Sequence, residues 1–150
     1  MDQIATALLH PHLQQITNQF FLCLDEFRYD DLVSLMTPDA QWHRQGKVLR
    51  GHAQALTALG ERPRTQRIRH VITNFLVTRA DDSGADAVAY MTAYKHDDGT
   101  DAPAPRTIPG PFRMLLVKTR FTRQAGRWLI AEQSATAEFE FKPATVRGTP

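Results

Sequence analysis

At 150 residues, with 42% apolar and 23% charged residues, the chain fits one globular domain able to bury a single core without disulfide or metal staples. A net charge of +2 with scattered basic residues argues against a nucleic-acid partner, and no stretch approaches the roughly 20 apolar residues of a membrane span. Cys23 is the sole cysteine and the start lacks a secretory pattern, so a reduced, cytoplasmic, soluble protein is expected, with Cys23 packed inside the run Phe20-Phe21-Leu22-Cys23-Leu24.

Residues 1–10 are mildly amphipathic, and Pro11 either starts the next helix or kinks a longer one. From His12 to Arg28, Leu13, Ile16, Phe20, Leu24 and Phe27 recur at helical spacing and form a stripe that should face a sheet. Asp25 borders that stripe near the helix end. A second short helix is read over Arg28 to Met36, with Asp30 as its N-cap and Leu32, Val33, Leu35 and Met36 on its buried side; Thr37-Pro38-Asp39 ends it. Ala40 to His43 reads as a short strand, and Gly51 opens a helix from His52 to Leu59 that stops at Gly60. Arg62, Arg64, Arg67 and Arg69 read as a solvated charged edge, with an anionic substrate group at a pocket mouth as the lesser alternative.

Arg67 to Thr78 is the longest strand signal, rich in β-branched and aromatic residues. Alternation puts Ile68, His70, Ile72, Asn74 and Leu76 on one face and Val71, Thr73, Phe75 and Val77 on the other. A histidine in an apolar row is either a packed neutral imidazole or a pocket base, a role suited to a side chain that titrates near neutrality. Asp81-Asp82-Ser83-Gly84 turns the chain into a second strand, Ala85 to Lys95, where Tyr90, Thr92 and Tyr94 share a face that either supplies pocket hydroxyls or lies on the oligomer side. His96 to Pro111 holds Pro103, Pro105, Pro109 and Pro111 and is read as a long loop, either a lid or an insertion. Phe112 to Thr122 and Arg127 to Ala137 form a second hairpin that Glu138 to Phe141 extends. The pattern is α+β, with helices on one face of a curved, mainly antiparallel sheet, in a single domain over 1–150 whose ends, 1–10 and 142–150, are expected to be flexible. Val71, Phe75 and Val77 predict that the other sheet face is buried in a homodimer or homotrimer.

Three segments carry a resemblance: Leu24 to Leu32 continued by Leu35-Met36-Thr37-Pro38-Asp39-Ala40-Gln41-Trp42; Arg69-His70-Val71-Ile72-Thr73-Asn74; and Gly126-Arg127-Trp128-Leu129-Ile130-Ala131-Glu132. The chain resembles the nuclear transport factor 2-like superfamily in its SnoaL-like branch, which includes scytalone dehydratase, hexachlorocyclohexane dehydrochlorinase, polyketide cyclases and the small subunits of ring-hydroxylating dioxygenases. That resemblance implies a cone-shaped fold enclosing a pocket, and a dyad of a strand histidine and a helix-end aspartate, here His70 and Asp25. Around it, Asn74, Tyr90, Tyr94, Ile72, Phe20 and Leu24 are the candidate substrate-binding residues.

The implied activity is a lyase or isomerase of the dehydratase type acting on a small apolar, aromatic or polyketide-like molecule. The alternatives are a non-catalytic binding protein or a dioxygenase small subunit. Leu24 stands where scytalone dehydratase has a tyrosine, and Val117 near where it has an asparagine, which argues against that enzyme's substrate. No metal or organic cofactor is expected, because the histidines lack ligand spacing and neither a glycine-rich phosphate loop nor a nucleophile elbow occurs.

Overall fold

The computed structural model describes the backbone of residues 3–142 and the side chains of 7–142. In chain order the elements are α1 (Gln3–Asp25), α2 (Tyr29–Ser34), β1 (Met36–Arg44), β2 (Lys47–Arg50), α3 (Gly51–Gly60), β3 (Arg67–Ala80), β4 (Gly84–His96), β5 (Arg113–Gln124) and β6 (Arg127–Glu140). One sheet holds all six strands in the order β2-β1-β6-β5-β4-β3, antiparallel throughout except where β1 runs parallel to β6. The helices lie on its concave face, which is the expected α+β cone. No described helix is long and apolar enough to cross a membrane.

Residues 3–10 are the first turns of α1, which passes through Pro11 without ending, whereas residues 1–2 and 143–150 lie outside the described residues. Leu13, Phe20 and Cys23 are fully buried, with Ile16, Phe21 and Leu24 nearly so. Their spacing wraps apolar contact around much of the helix, and Phe20 meets Trp42 of β1 edge-on with ring centroids 5.2 Å apart. On β4 the concave side chains are Ala85, Ala87, Ala89, Met91 and Ala93, mostly too short to fill the interior themselves.

Four local expectations are corrected. Arg28, not Asp30, occupies the N-cap of α2, and it makes no side-chain cap bond; Asp30 sits in the first turn, where a carboxylate favours the helix dipole. Met36 and Thr37-Pro38-Asp39 belong to β1 instead of ending a helix, Pro38 being exposed near the strand's start, where losing a donor is tolerated. β2 is an additional strand, formed because Gln45 and Gly46 both take positive φ and turn Lys47–Arg50 back along β1. Gly51 opens α3 as expected, at φ +71, where an added Cβ would stand 2.9 Å from the Pro38 carbonyl oxygen.

The fourth correction concerns β3. Thr73 pairs with Tyr90 and Leu76 with Val88, so Asn74 and Phe75 together oppose Ala89. This is a β-bulge, with Asn74 at φ 53, and it reverses the alternation beyond it. Phe75 turns inward at 9% exposure and Leu76 outward at 57%, the opposite of strict alternation. Phe75 and Val77 join the core and its margin instead of the outer face.

Candidate active site

β3 is an edge strand, so among the described residues its N–H and C=O groups on the side away from β4 have no strand to pair with. α1 covers that edge at two points. His10 Nε2 lies 3.0 Å from the Phe75 carbonyl oxygen, and the His70 backbone N–H donates to Asp25 Oδ2 at 2.9 Å. The other oxygen, Asp25 Oδ1, lies 2.6 Å from His70 Nδ1. Both side chains are buried, at 4% exposure for Asp25 and 9% for His70.

An ionised carboxylate only accepts hydrogen bonds, so Asp25 fixes the proton on Nδ1 and makes Nε2 the basic atom of a neutral ring. Among the described residues Nε2 has no hydrogen-bond partner. Phe21, one helical turn before Asp25, places its ring centroid 5.2 Å from that of the imidazole. The pairing is thus held by the last turn of one helix and an edge strand, with an aromatic ring against it.

That last turn is itself clamped. Phe27 takes φ 59 and breaks the helix after Asp25, while Arg62 Nη1 donates to the Leu24 carbonyl oxygen at 2.5 Å and to the Tyr29 hydroxyl at 3.1 Å. The Arg62 and Arg64 guanidinium carbons stand 5.0 and 4.9 Å from the Phe27 ring centroid. Arg62 is therefore a buried cap of the α1 C-terminus and no part of a solvated edge. Sequence reading missed this because its signal, a cation arriving from 38 residues away, is invisible to local spacing.

The strand register lays out the concave floor before the dyad. His70, Ala93 and Arg113 lie side by side across three strands, and Ile72, Met91, Leu115 and Ala137 form the next row. Ala93 projects nothing past its Cβ between His70 and Arg113. Ala135 and Ala137 are exposed although they share the concave face, so the helices leave this end of the floor uncovered.

The remaining expected residues divide. Ile72 lies on the floor beside His70, half-buried. Phe20 is wholly buried against Phe21 and Trp42, and Leu24 is buried within the same core cluster. Tyr90 and Tyr94 project from the convex face at 39% and 36% exposure, because they pair with Thr73 and Arg69, whose side chains point away from His70. Asn74 is exposed at the bulge. These three do not share a face with the dyad, and a substrate there would not reach them.

The sequence profile of the SnoaL-like domain matches residues 6–133. The chain belongs to the SnoaL-like domain family. Solved structures similar to this SnoaL-like chain include a hexachlorocyclohexane dehydrochlorinase from Novosphingobium barchaimii, with a TM-score of 0.75, 14% identity and 99% of each chain covered. A protein of unknown function from Mycobacterium tuberculosis gives a TM-score of 0.74 at 19% identity, covering 92% of this chain and 77% of the other. ActVI-ORFA from Streptomyces coelicolor gives 0.70 at 18% identity, covering 87% and 97%. At these identities the likeness is one of fold. No curated protein matches the sequence.

Proposed function

We propose that this SnoaL-like chain is a cofactor-independent lyase or isomerase of the dehydratase type, with His70 as general base and Asp25 as its partner. The observation that carries the reading is the two-point grip of Asp25 on His70, with ring and backbone held by one buried carboxylate. Nε2 takes a proton from an acidified carbon of the substrate, and the C–H electron pair becomes the new double bond. In an elimination the leaving group departs with its bonding pair, and the imidazolium passes the proton to that group; in an isomerisation the proton returns to a second carbon. Asp25 stabilises the imidazolium between the two transfers.

Ile72, Met91, Leu115 and the alanines of the concave floor suit a small apolar, aromatic or polyketide-like ring. Arg113 in the His70 row, ion-paired with Glu140 at 3.0 Å, adds guanidinium donors that would hold a substrate oxygen. The test is a screen of eliminations and isomerisations of hydroxylated or carbonyl-bearing ring compounds, followed by His70→Ala. Turnover should fall by about two to four orders of magnitude with the fold intact. Turnover at the unaltered rate would make His70 a packing residue and leave a binding protein as the reading.

The same proposal includes self-association through the convex face as a homodimer or homotrimer. Val71, Leu76 and Tyr90 are exposed there at 46%, 57% and 39%, beside a hollow of about 560 Å³ that Leu76, Tyr90 and Leu116 help to line.

A further inference from the structure

The loop between β4 and β5 folds back over the ends of β3 and β4 instead of standing free. Its Asp101 Oδ1 lies 2.5 Å from Arg67 Nη2 and 3.5 Å from Arg106 Nη2, and Arg106 Nη2 also donates to the Ala102 carbonyl oxygen. Between loop and strands remains a cavity of about 180 Å³, lined by Arg67, Arg69, His96 and Arg106, with Tyr94 and Ile108 among its apolar walls. Arg67 pairs with His96 and Arg69 with Tyr94 across the ladder, on the face away from His70, so this cavity is separate from the dyad.

Two of its lining side chains carry buried polar atoms without a partner, His96 Nδ1 and Arg106 Nε. Arg106 Nε can only donate, and a buried guanidinium N–H left unpaired is costly, so it marks a place for an acceptor. The surrounding charge gives that acceptor its sign. Arg67, Arg69 and Arg106 line the cavity with His96, and among the described residues no carboxylate does. Three carboxylates flank it. Asp101 meets Arg67 and Arg106, Glu26 meets Arg69 at 2.9 Å, and Asp98 lies 3.8 Å from His96 Nε2.

We infer that this cavity is a binding site for a small carboxylate. A carboxylate oxygen accepts from Arg106 Nε–H, the Arg67 guanidinium adds to the field that holds the ligand, and the His96 ring borders it. Tyr94 and Ile108 receive the short apolar or aromatic body that bears the carboxylate. Asp101 already reaches two of these arginines from the loop, as a carboxylate drawn by the same charge.

Benzoate is the probe, with benzyl alcohol and sodium chloride at matched ionic strength as controls, read by the NMR signals of the His96 ring and the Arg106 Nε–H. The expected result is a saturable shift of both signals with benzoate alone, weakened about tenfold or more by Arg106→Gln, the loss of one charge-assisted hydrogen bond. Ile108→Asp, which puts a like charge into the apolar wall, should abolish the shift and serves where the loop does not tolerate Arg106→Gln. No saturable shift at about 10 mM benzoate, where even a millimolar site is nearly filled, overturns the site. So does an equal response to benzyl alcohol or chloride, or a response confined to His70, which would place the ligand on the concave face. Because neither variant touches the dyad, proton-transfer activity at His70 is expected to persist in both.

Discussion

Asp25 holds His70 at two points, Oδ1 on the ring Nδ1 and Oδ2 on the backbone N–H, so one carboxylate sets both the tautomer of the base and the position of its strand. An amide cannot replace it. In Asp25→Asn one oxygen still accepts from the His70 N–H, but the NH2 then faces Nδ1, which must become an acceptor and send the proton to Nε2. The base is thereby blocked without removing a side chain. The expected outcome is a rate loss of about 10⁴, with the ring in the Nε2–H form by nitrogen NMR and the fold retained. A ring that keeps its Nδ1 proton in the variant would contradict this account.

Arg62→Met should destabilise the fold by about 2 kcal/mol, because it strips the Leu24 carbonyl and the Tyr29 hydroxyl of a buried charged donor. Methionine nearly matches the stem in length, so packing against Phe27 persists and the loss reports the hydrogen bonds. Denaturant unfolding with an unchanged slope and a lower midpoint is the expected reading.

What the sequence disclosed was mostly what repeats. The helical stripe Leu13, Ile16, Phe20, Leu24, the four long strands and both hairpin turns follow from short-range periodicity, and they coincide with α1, β3 to β6 and their connections, whereas Phe27, the last expected member of the stripe, lies beyond the helix end. The dyad pair was reached through family resemblance at two positions, not through spacing, since 45 residues separate Asp25 from His70. Single events escaped. The Asn74 bulge carries no signal distinct from that of a polar residue in a strand, yet it reverses the faces of Phe75 and Leu76. For Tyr90 and Tyr94 the sequence leaves both the pocket and the oligomer side open, because alternation says which residues share a face but not which face is concave.

Self-association should depend on the convex face. Leu76→Lys adds a charge beside Tyr90 and the convex hollow without touching the core, since Leu76 is 57% exposed. Sedimentation at micromolar concentration is expected to give an oligomer for the unaltered chain and a monomer for the variant. A monomer in both would remove the oligomer from the proposal.

Acid should loosen the turn between β3 and β4 late. The Ser83 hydroxyl, the Ser83 and Gly84 backbone N–H groups and Arg79 hold the Asp81 carboxyl down to about 2 from its ordinary 3.8. A carboxyl lowered in the folded state contributes stability above its unfolded value, and that contribution fades as pH falls from about 4 through 2. The Asp81 side-chain signal should therefore titrate near pH 2, and Asp81→Asn should abolish this part of the acid dependence. Titration near 4 would show that the turn bonds do not favour the charged form.

Asn74 permits a sharper test of how the sequence sets the face of each side chain. At φ 53 it occupies the left-handed region, which asparagine and glycine enter readily and β-branched residues do not. Asn74→Gly should leave the bulge intact and stability within a few tenths of a kcal/mol, whereas Asn74→Val should cost about 1–2 kcal/mol if the backbone stays in place. The alternative open to the valine variant is to straighten the strand. That would remove the extra residue opposite Ala89, restore strict alternation, and turn Phe75 out and Leu76 in. Phe75 would then lose its edge-on contact with His10, whose ring centroid now lies 5.3 Å away, and α1 would lose one of its two attachments to the edge strand. Because that exchange exposes a buried aromatic ring, the bulge should persist and the strain remain. Hydrogen exchange at Phe75 and Leu76 separates the outcomes: an unchanged pattern in a less stable protein supports a bulge fixed by core burial, while swapped protection would mean that Asn74 itself had chosen the faces.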